Sequence, residues 1–306
     1  MGKTKHTRGE EWCAQGAYGV RFEWGPEGAR RLMAGAADAD TDSDADTDTD
    51  AGSALATDAG CLVVVDVLSF STAVSVAVDA GTQVFPYAWR DESAVAFAAG
   101  RGAELAVGRR AMSTASPWSL SPAGLRRAPF TPRLVLPSPN GSAIAAAAGA
   151  SGAVVAGCLR NAAAVGSWLV EQGYGVPGRP VAVVAAGERW TDGSLRPAVE
   201  DLLGAGAVIS AMRGVGISPE AAVAAGAFVS CGDVASAVAD CASGAELRGY
   251  GFAEDVAVAV EAGASQGVPV LKDGAFSSAT GTVPSPIPPQ PQPQPPNMPR
   301  TSPSGD

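Results

Sequence analysis

Histidine is almost absent from this chain of 306 residues: the single one is His6, close to the N-terminus. That argues against chemistry built on imidazole, including Ser-His-Asp triads, phosphohistidine intermediates and His-ligated zinc. Cysteine is scarce as well. Cys13, Cys61, Cys158, Cys231 and Cys241 are odd in number, widely spaced and form no C-x-x-C pair, a pattern that fits a reducing cytoplasm better than a disulfide framework. No G-x-x-x-x-G-K-[ST] loop occurs, and no strand-like run leads into G-x-G-x-x-G, so the common nucleotide-binding loops are missing. There is no Lys/Arg cluster interleaved with aromatics, which excludes a nucleic-acid face. The N-terminus has no apolar signal core, and the uncharged stretch Gly141–Leu159 is mostly Ala, Gly and Ser, so no membrane association is expected.

What is present is a globular composition, with 46% hydrophobic residues, enough for a full core at this length. The formal net charge of −10 is misleading, because seven Asp residues lie between Asp38 and Asp50 and the rest of the chain is nearly balanced. That Asp/Thr/Ala/Ser run has too little apolar surface to offset its ordering entropy and reads as a disordered insert over 38–58. From Pro284 to Pro303 ten of twenty residues are proline, so the tail, 277–306, reads as disordered or polyproline-like. Between these segments, 59–276 is expected to be an α/β domain, joined by the N-terminal part, 1–37. That part supplies a strand over Tyr18–Trp24 and a helix opened by Pro26.

Short apolar runs followed by polar turns and helices recur along the domain. Cys61–Val65 delivers Asp66, then Ser69, Ser71 and Thr72 at the start of a helix that runs to about Ala80. Arg133–Leu136 leads to Ser138, Asn140, Gly141 and Ser142 and an Ala-rich helix. Ala153–Ala156 leads to Cys158, Arg160 and Asn161 and a helix ending near Gln172. Val181–Ala185 leads to Gly187 and Glu188; Pro197 is well placed to open the next helix, with Val199, Leu202 and Leu203 on one face and Glu200 and Asp201 in the first turn. Between Arg109 and Pro132 the sequence reads as one long loop with four basic residues, a length that is often functional. After Ser210 the pattern is helical, near Pro219–Phe228, Asp233–Ser243 and Ala253–Ala262, with Val268–Leu271 as a last strand. This alternation predicts a layered α/β/α fold with a mostly parallel or mixed sheet and a helix-rich C-terminal part.

Groups at the carboxyl ends of strands are where such sheets place their chemistry. Here they are carboxylates, carboxamides, hydroxyls and arginines, an inventory suited to Mg²⁺-assisted chemistry on a small phosphorylated acid: Mg²⁺ takes one or two carboxylates plus water and substrate oxygens. Simpler readings stand beside this one. Asp66 or any one Ser can be a helix cap, and Glu200 and Asp201 can simply complement a helix dipole.

Four segments, DVLSFSTAVSVAVDAG from Asp66, SPNGS from Ser138, GCLRNA from Gly157 and GERW…SLRPAVEDLLGAGAVI from Gly187, together resemble the 2-phosphosulfolactate phosphatase (ComB-like) family, over roughly Tyr18 to Phe276 outside the acidic insert. The resemblance implies a layered α/β fold and Mg²⁺-dependent hydrolysis of the phosphate ester of sulfolactate. It implies Asp66, Glu188 and Asp201, with Glu200 as the alternative to Asp201, for metal binding or water activation. Asn140, Gly141, Ser142 and Asn161 would position the phosphate, with Ser69, Ser71 and Thr72 nearby, and Arg160 would hold a second anion. The chain departs from the family at Ser69, where Arg is usual. Whether a carboxylate or water attacks phosphorus stays open, and a homo-oligomer is compatible with the sequence. So do two other readings: a non-enzymatic small-anion binding protein on the same scaffold, and an interaction protein working through the acidic insert and Pro-rich tail.

Overall fold

The computed structural model describes residue 13 and residues 15–37, 60–89, 91–147 and 152–279. The acidic insert, and the tail beyond residue 279, lie outside the described residues. In chain order the strands are β1 (Val20–Trp24), β2 (Cys61–Val65), β3 (Gln83–Tyr87), β4 (Glu104–Leu105), β5 (Arg133–Pro137), β6 (Ala153–Gly157), β7 (Val181–Ala185), β8 (Glu188–Arg189), β9 (Leu195–Arg196), β10 (Pro269–Lys272) and β11 (Ala275–Ser278). The helices are α1 (Gly25–Ala37), α2 (Phe70–Asp79), α3 (Glu92–Arg101), α4 (Pro122–Arg127), α5 (Gly141–Ala147), α6 (Ala162–Glu171), α7 (Val199–Ala211), α8 (Pro219–Ser230), α9 (Val234–Asp240), α10 (Ala242–Gly249) and α11 (Ala253–Ala259).

Nine strands form one mixed sheet in the order β1-β7-β2-β6-β10-β11-β3-β5-β4, and β8 and β9 form a separate small hairpin. The fold is layered α/β, as the alternation of runs predicts. The pairings β1/β7, β7/β2 and β2/β6 are parallel and in step, so Trp24, Ala185, Val65 and Gly157 end on one line. Both faces of β2 and β7 are buried, which is why these strands are unbroken apolar runs rather than alternating ones. Cys61, Val63 and Val65 belong to the core under α6, α7 and α8, while Leu62 and Val64 belong to the core under α1, α2 and α5.

Several details differ from the sequence expectation. Val268–Leu271 is not the last strand: β10 turns into β11, and this hairpin is inserted between β6 and β3 by three successive antiparallel pairings. The β3/β5/β4 set therefore runs opposite to the β1/β7/β2/β6 set, and β11 carries the domain through Ser278. The 109–132 segment is not a single loop, since it contains a 3₁₀ turn at Arg109–Ala111 and the capped helix α4. The expected helix at Asp233–Ser243 is two helices, α9 and α10, because Cys241 takes extended backbone and caps the second. Pro197 lies before α7 instead of opening it, and Ala198 is the N-cap. No single helix among the described residues is long and apolar enough to cross a membrane.

Candidate active site

The common end line of β1, β7, β2 and β6 sets the site. Directly past Val65, Asp66 is buried, and its Oδ1 accepts the backbone N–H groups of Ser69 (2.7 Å) and Phe70 (3.0 Å) at the start of α2. Asp66 is thus a capping group and a strand-end carboxylate at once. Its second oxygen accepts no hydrogen bond from the described residues. Burial raises the Asp66 carboxyl above its ordinary value against those two N–H groups and the Arg109 guanidinium, which favour the ionised form. Ser71 and Thr72 hold the same turn. The Ser71 hydroxyl donates to Val64 O and accepts from Asp66 N–H, and the Thr72 hydroxyl donates to Val67 O.

Asp201 locks two strand ends together. Its Oδ1 accepts the N–H of Val67 (2.7 Å), after β2, and its Oδ2 accepts the N–H of Gly187 (2.8 Å), after β7. Reaching both requires α7 to lie very close to the sheet, and Gly204 permits it: a Cβ there would sit 2.6 Å from Val67 and 2.9 Å from Val65. The inward face of α7 accordingly begins with Glu200 and Asp201, both buried, whereas Val199 is 52% exposed. Of the expected apolar face, Val199 alone falls outside: Leu203 is buried in the core and Leu202 packs partly buried against it. Glu200 accepts from the Cys241 thiol at 3.1 Å. Burial, then the nearby Asp66 and Glu200, push the Asp201 carboxyl well above its usual range.

Glu188 begins the β8/β9 hairpin, two residues past Ala186, whose N–H is bound to Val65 O. It is partly buried, and burial together with Asp66 and Glu200 raises its carboxyl from 4.5 to about 7. The Asn140 carboxamide donates to Glu188 Oε2 at 3.3 Å. Asn140 follows β5, in the reversed half of the sheet, and a twist of roughly 20–25° per strand accumulates between the two halves. At Gly141 a Cβ would lie 2.2 Å from the Phe70 ring, so only glycine lets this turn pack on the start of α2. The Ser142 hydroxyl is buried with no hydrogen-bond partner among the described residues. A cavity of about 260 Å³ opens beside Glu188 and Asn140, lined also by Trp24, Ala186 and Leu195, with Arg30 and Arg189 among its walls.

The structure keeps two of the expected groups apart from this cluster. Arg160 is buried and ion-paired with Glu261 and with Asp79, at the far end of α2 from Asp66. Asn161 uses its carboxamide to staple its own loop, accepting from Cys158 N–H and donating to Ala156 O and Gly267 O. Conversely, Arg109 arrives from the long 109–132 segment and donates to the Ser69 hydroxyl and to Asp255. Segment length was the only signal pointing there; nothing local singles out Arg109 among its four basic residues.

The family profile described as 2-phosphosulpholactate phosphatase matches residues 48–274, well over half of the chain. The chain belongs to this family. The 2-phosphosulpholactate phosphatases are phosphoric monoester hydrolases, and this chain is an enzyme of that class. A comparison with curated proteins found no match. The match contains Asp66, Ser69, Asn140, Glu188 and Asp201, and also Arg109 and Asp255. Among the described residues no three His, Cys, Asp or Glu side chains gather as a ready-made metal cage.

Proposed function

We propose that the protein is a Mg²⁺-dependent, cytoplasmic phosphatase that cleaves the phosphate ester of a small anionic hydroxy acid of the 2-phosphosulfolactate type, yielding the hydroxy acid and phosphate. One observation carries this reading: Asp66 and Glu188 follow adjacent, in-step parallel strands and each keeps an oxygen without a protein hydrogen bond, while Asp201 ties both loops down. The donor set suits Mg²⁺, which binds through one or two carboxylates and completes its shell with water and substrate oxygens rather than in an all-protein cage. Asp66 and Glu188 would hold it; when bound it would neutralise charge on the phosphoryl oxygens. Asp201, with both oxygens committed to backbone N–H groups, acts as a positioning residue. Glu200, engaged by Cys241, lies behind it.

Substrate recognition falls to the groups around this pair. Asn140 orients the Glu188 carboxylate, and the unpaired Ser142 hydroxyl, two residues further along the same turn, would gain a partner from a phosphoryl oxygen or its water. A buried hydroxyl left unpaired costs about 1–3 kcal/mol, which a bound oxygen would recover. The cavity lies just below the usual ligand-pocket range of roughly 300–1,000 Å³, so it fits a small acid rather than a nucleotide. Five free cysteines accord with a reducing compartment.

The test is phosphate release from phosphorylated hydroxy acids by purified wild type and Asp66→Asn. Asn retains the acceptor for Ser69 and Phe70 but not the charge, so folding should persist while turnover falls about 100-fold or more. Excess chelator should abolish wild-type activity, with Mg²⁺ restoring it. Normal turnover by folded Asp66→Asn removes Asp66 from the chemistry, and full activity in chelator removes the metal.

A further inference from the structure

Arg109 is held in an unusual way for a structural arginine. Arg21, also buried, spends its guanidinium on three backbone carbonyls, those of Tyr18, Leu32 and Gly16. Arg160 spends its own on two carboxylates. Arg109 instead gives Nε–H to Asp255 (2.8 Å) and one Nη2–H to the Ser69 hydroxyl. Of the five N–H donors of a guanidinium, three then have no acceptor among the described residues, and the side chain keeps 16% of its surface open. Asp255 is itself fixed, with 2% of its side chain exposed: its Oδ1 accepts the Ser121 hydroxyl and the Ala123 N–H (3.1 Å). The guanidinium is therefore clamped from behind by a buried carboxylate and aligned by Ser69 at the start of α2, the residue whose own N–H donates to Asp66 Oδ1 at 2.7 Å.

A buried ion pair is a costly way to gain stability, since desolvation consumes much of its attraction. Its defensible use is to fix one partner's orientation, and here the orientation leaves a planar fork of donors beside a strand-end carboxylate. From this geometry we infer that Arg109 binds the second anionic group of the substrate, the sulfonate or carboxylate that is not hydrolysed, with Ser69 and Asp255 as positioning residues. A planar fork fits a carboxylate or sulfonate edge through paired N–H donors in a way an ammonium does not. The inference rests on the phosphatase reading for the identity of that anion, but its test needs no turnover.

Binding of sulfolactate and of inorganic phosphate, each in the presence of Mg²⁺, is measured calorimetrically for wild type, Arg109→Gln and Arg109→Lys. Arg109→Gln should weaken sulfolactate binding at least 10-fold and change phosphate binding less than 3-fold. Arg109→Lys keeps a charge opposite Asp255 and so protects the fold, but loses the fork, and should weaken sulfolactate several-fold. If Arg109→Gln does not fold, Arg109→Lys alone decides: weaker sulfolactate binding supports the assignment, and wild-type affinity overturns it. No sulfolactate binding by wild type, unchanged affinity in both variants, or equal weakening of sulfolactate and phosphate also overturns it. A wild type that binds sulfolactate through Arg109 yet releases no phosphate from any ester would refute the phosphatase reading and leave this inference standing.

Discussion

Asp201→Asn tests whether one buried carboxylate holds the site's two loops in place. In the wild type its oxygens accept Val67 N–H at 2.7 Å and Gly187 N–H at 2.8 Å. Asparagine preserves one acceptor and turns the other into an amide N–H₂ facing an N–H, so one bond to a charged acceptor is lost and a buried donor is stranded. Those two effects cost about 2–5 kcal/mol together. An opposing gain comes from removing a charge that burial, Asp66 and Glu200 all disfavour. The hydrogen bonds should prevail, because α7 is packed directly against Val65 and Val67 at Gly204 and cannot shift to relieve the stranded donor, and a net loss of about 2 kcal/mol is expected. In urea at pH 7 the midpoint should fall by about 1 M with the slope unchanged. Turnover should drop too, as Asp66 and Glu188 lose their alignment. A midpoint equal to or above that of the wild type would mean that repulsion outweighs the clamp, and the positioning role assigned to Asp201 would be wrong.

Gly141→Ala would drive a Cβ to within 2.2 Å of the Phe70 ring; destabilisation of about 1–3 kcal/mol is expected, read as a lower melting temperature, and an unchanged melt would show that the turn gives way freely. For Glu188 the sign follows from its raised carboxyl, at about 7 against 4.5. The folded state holds the proton more tightly than the unfolded one, so this group lowers stability as pH rises from about 4.5 to 7, by up to about 3 kcal/mol. In chelator, Glu188→Gln should therefore flatten the fall in unfolding free energy over that window, and identical pH profiles for variant and wild type would refute the electrostatic account.

The local elements were legible because their causes are local. Apolar runs such as Cys61–Val65 and Val181–Ala185 are strands buried on both faces, and the polar turns after them place Asp66 and Glu188 by chain connectivity alone. Helix starts at Ser218 and Asp233 follow from side chains that cap N–H groups three residues on. Long-range facts had no such signal. Glu200 and Asp201 look like dipole-complementing surface acids until α7, admitted by Gly204, presses them inward and leaves Val199 outside. Arg160 and Asn161 sit in a motif with the right spacing, but Asp79, Glu261 and Gly267, distant in sequence, claim their polar atoms. The β10–β11 hairpin splits the sheet through pairings that no periodicity encodes, and Asn140 still reaches Glu188 across that reversal. At Ser69 the chain itself offers only a hydroxyl. Only tertiary folding shows Arg109 brought there from 40 residues away, because what selects it is a buried partner, Asp255, on a helix that the sequence around Arg109 does not specify.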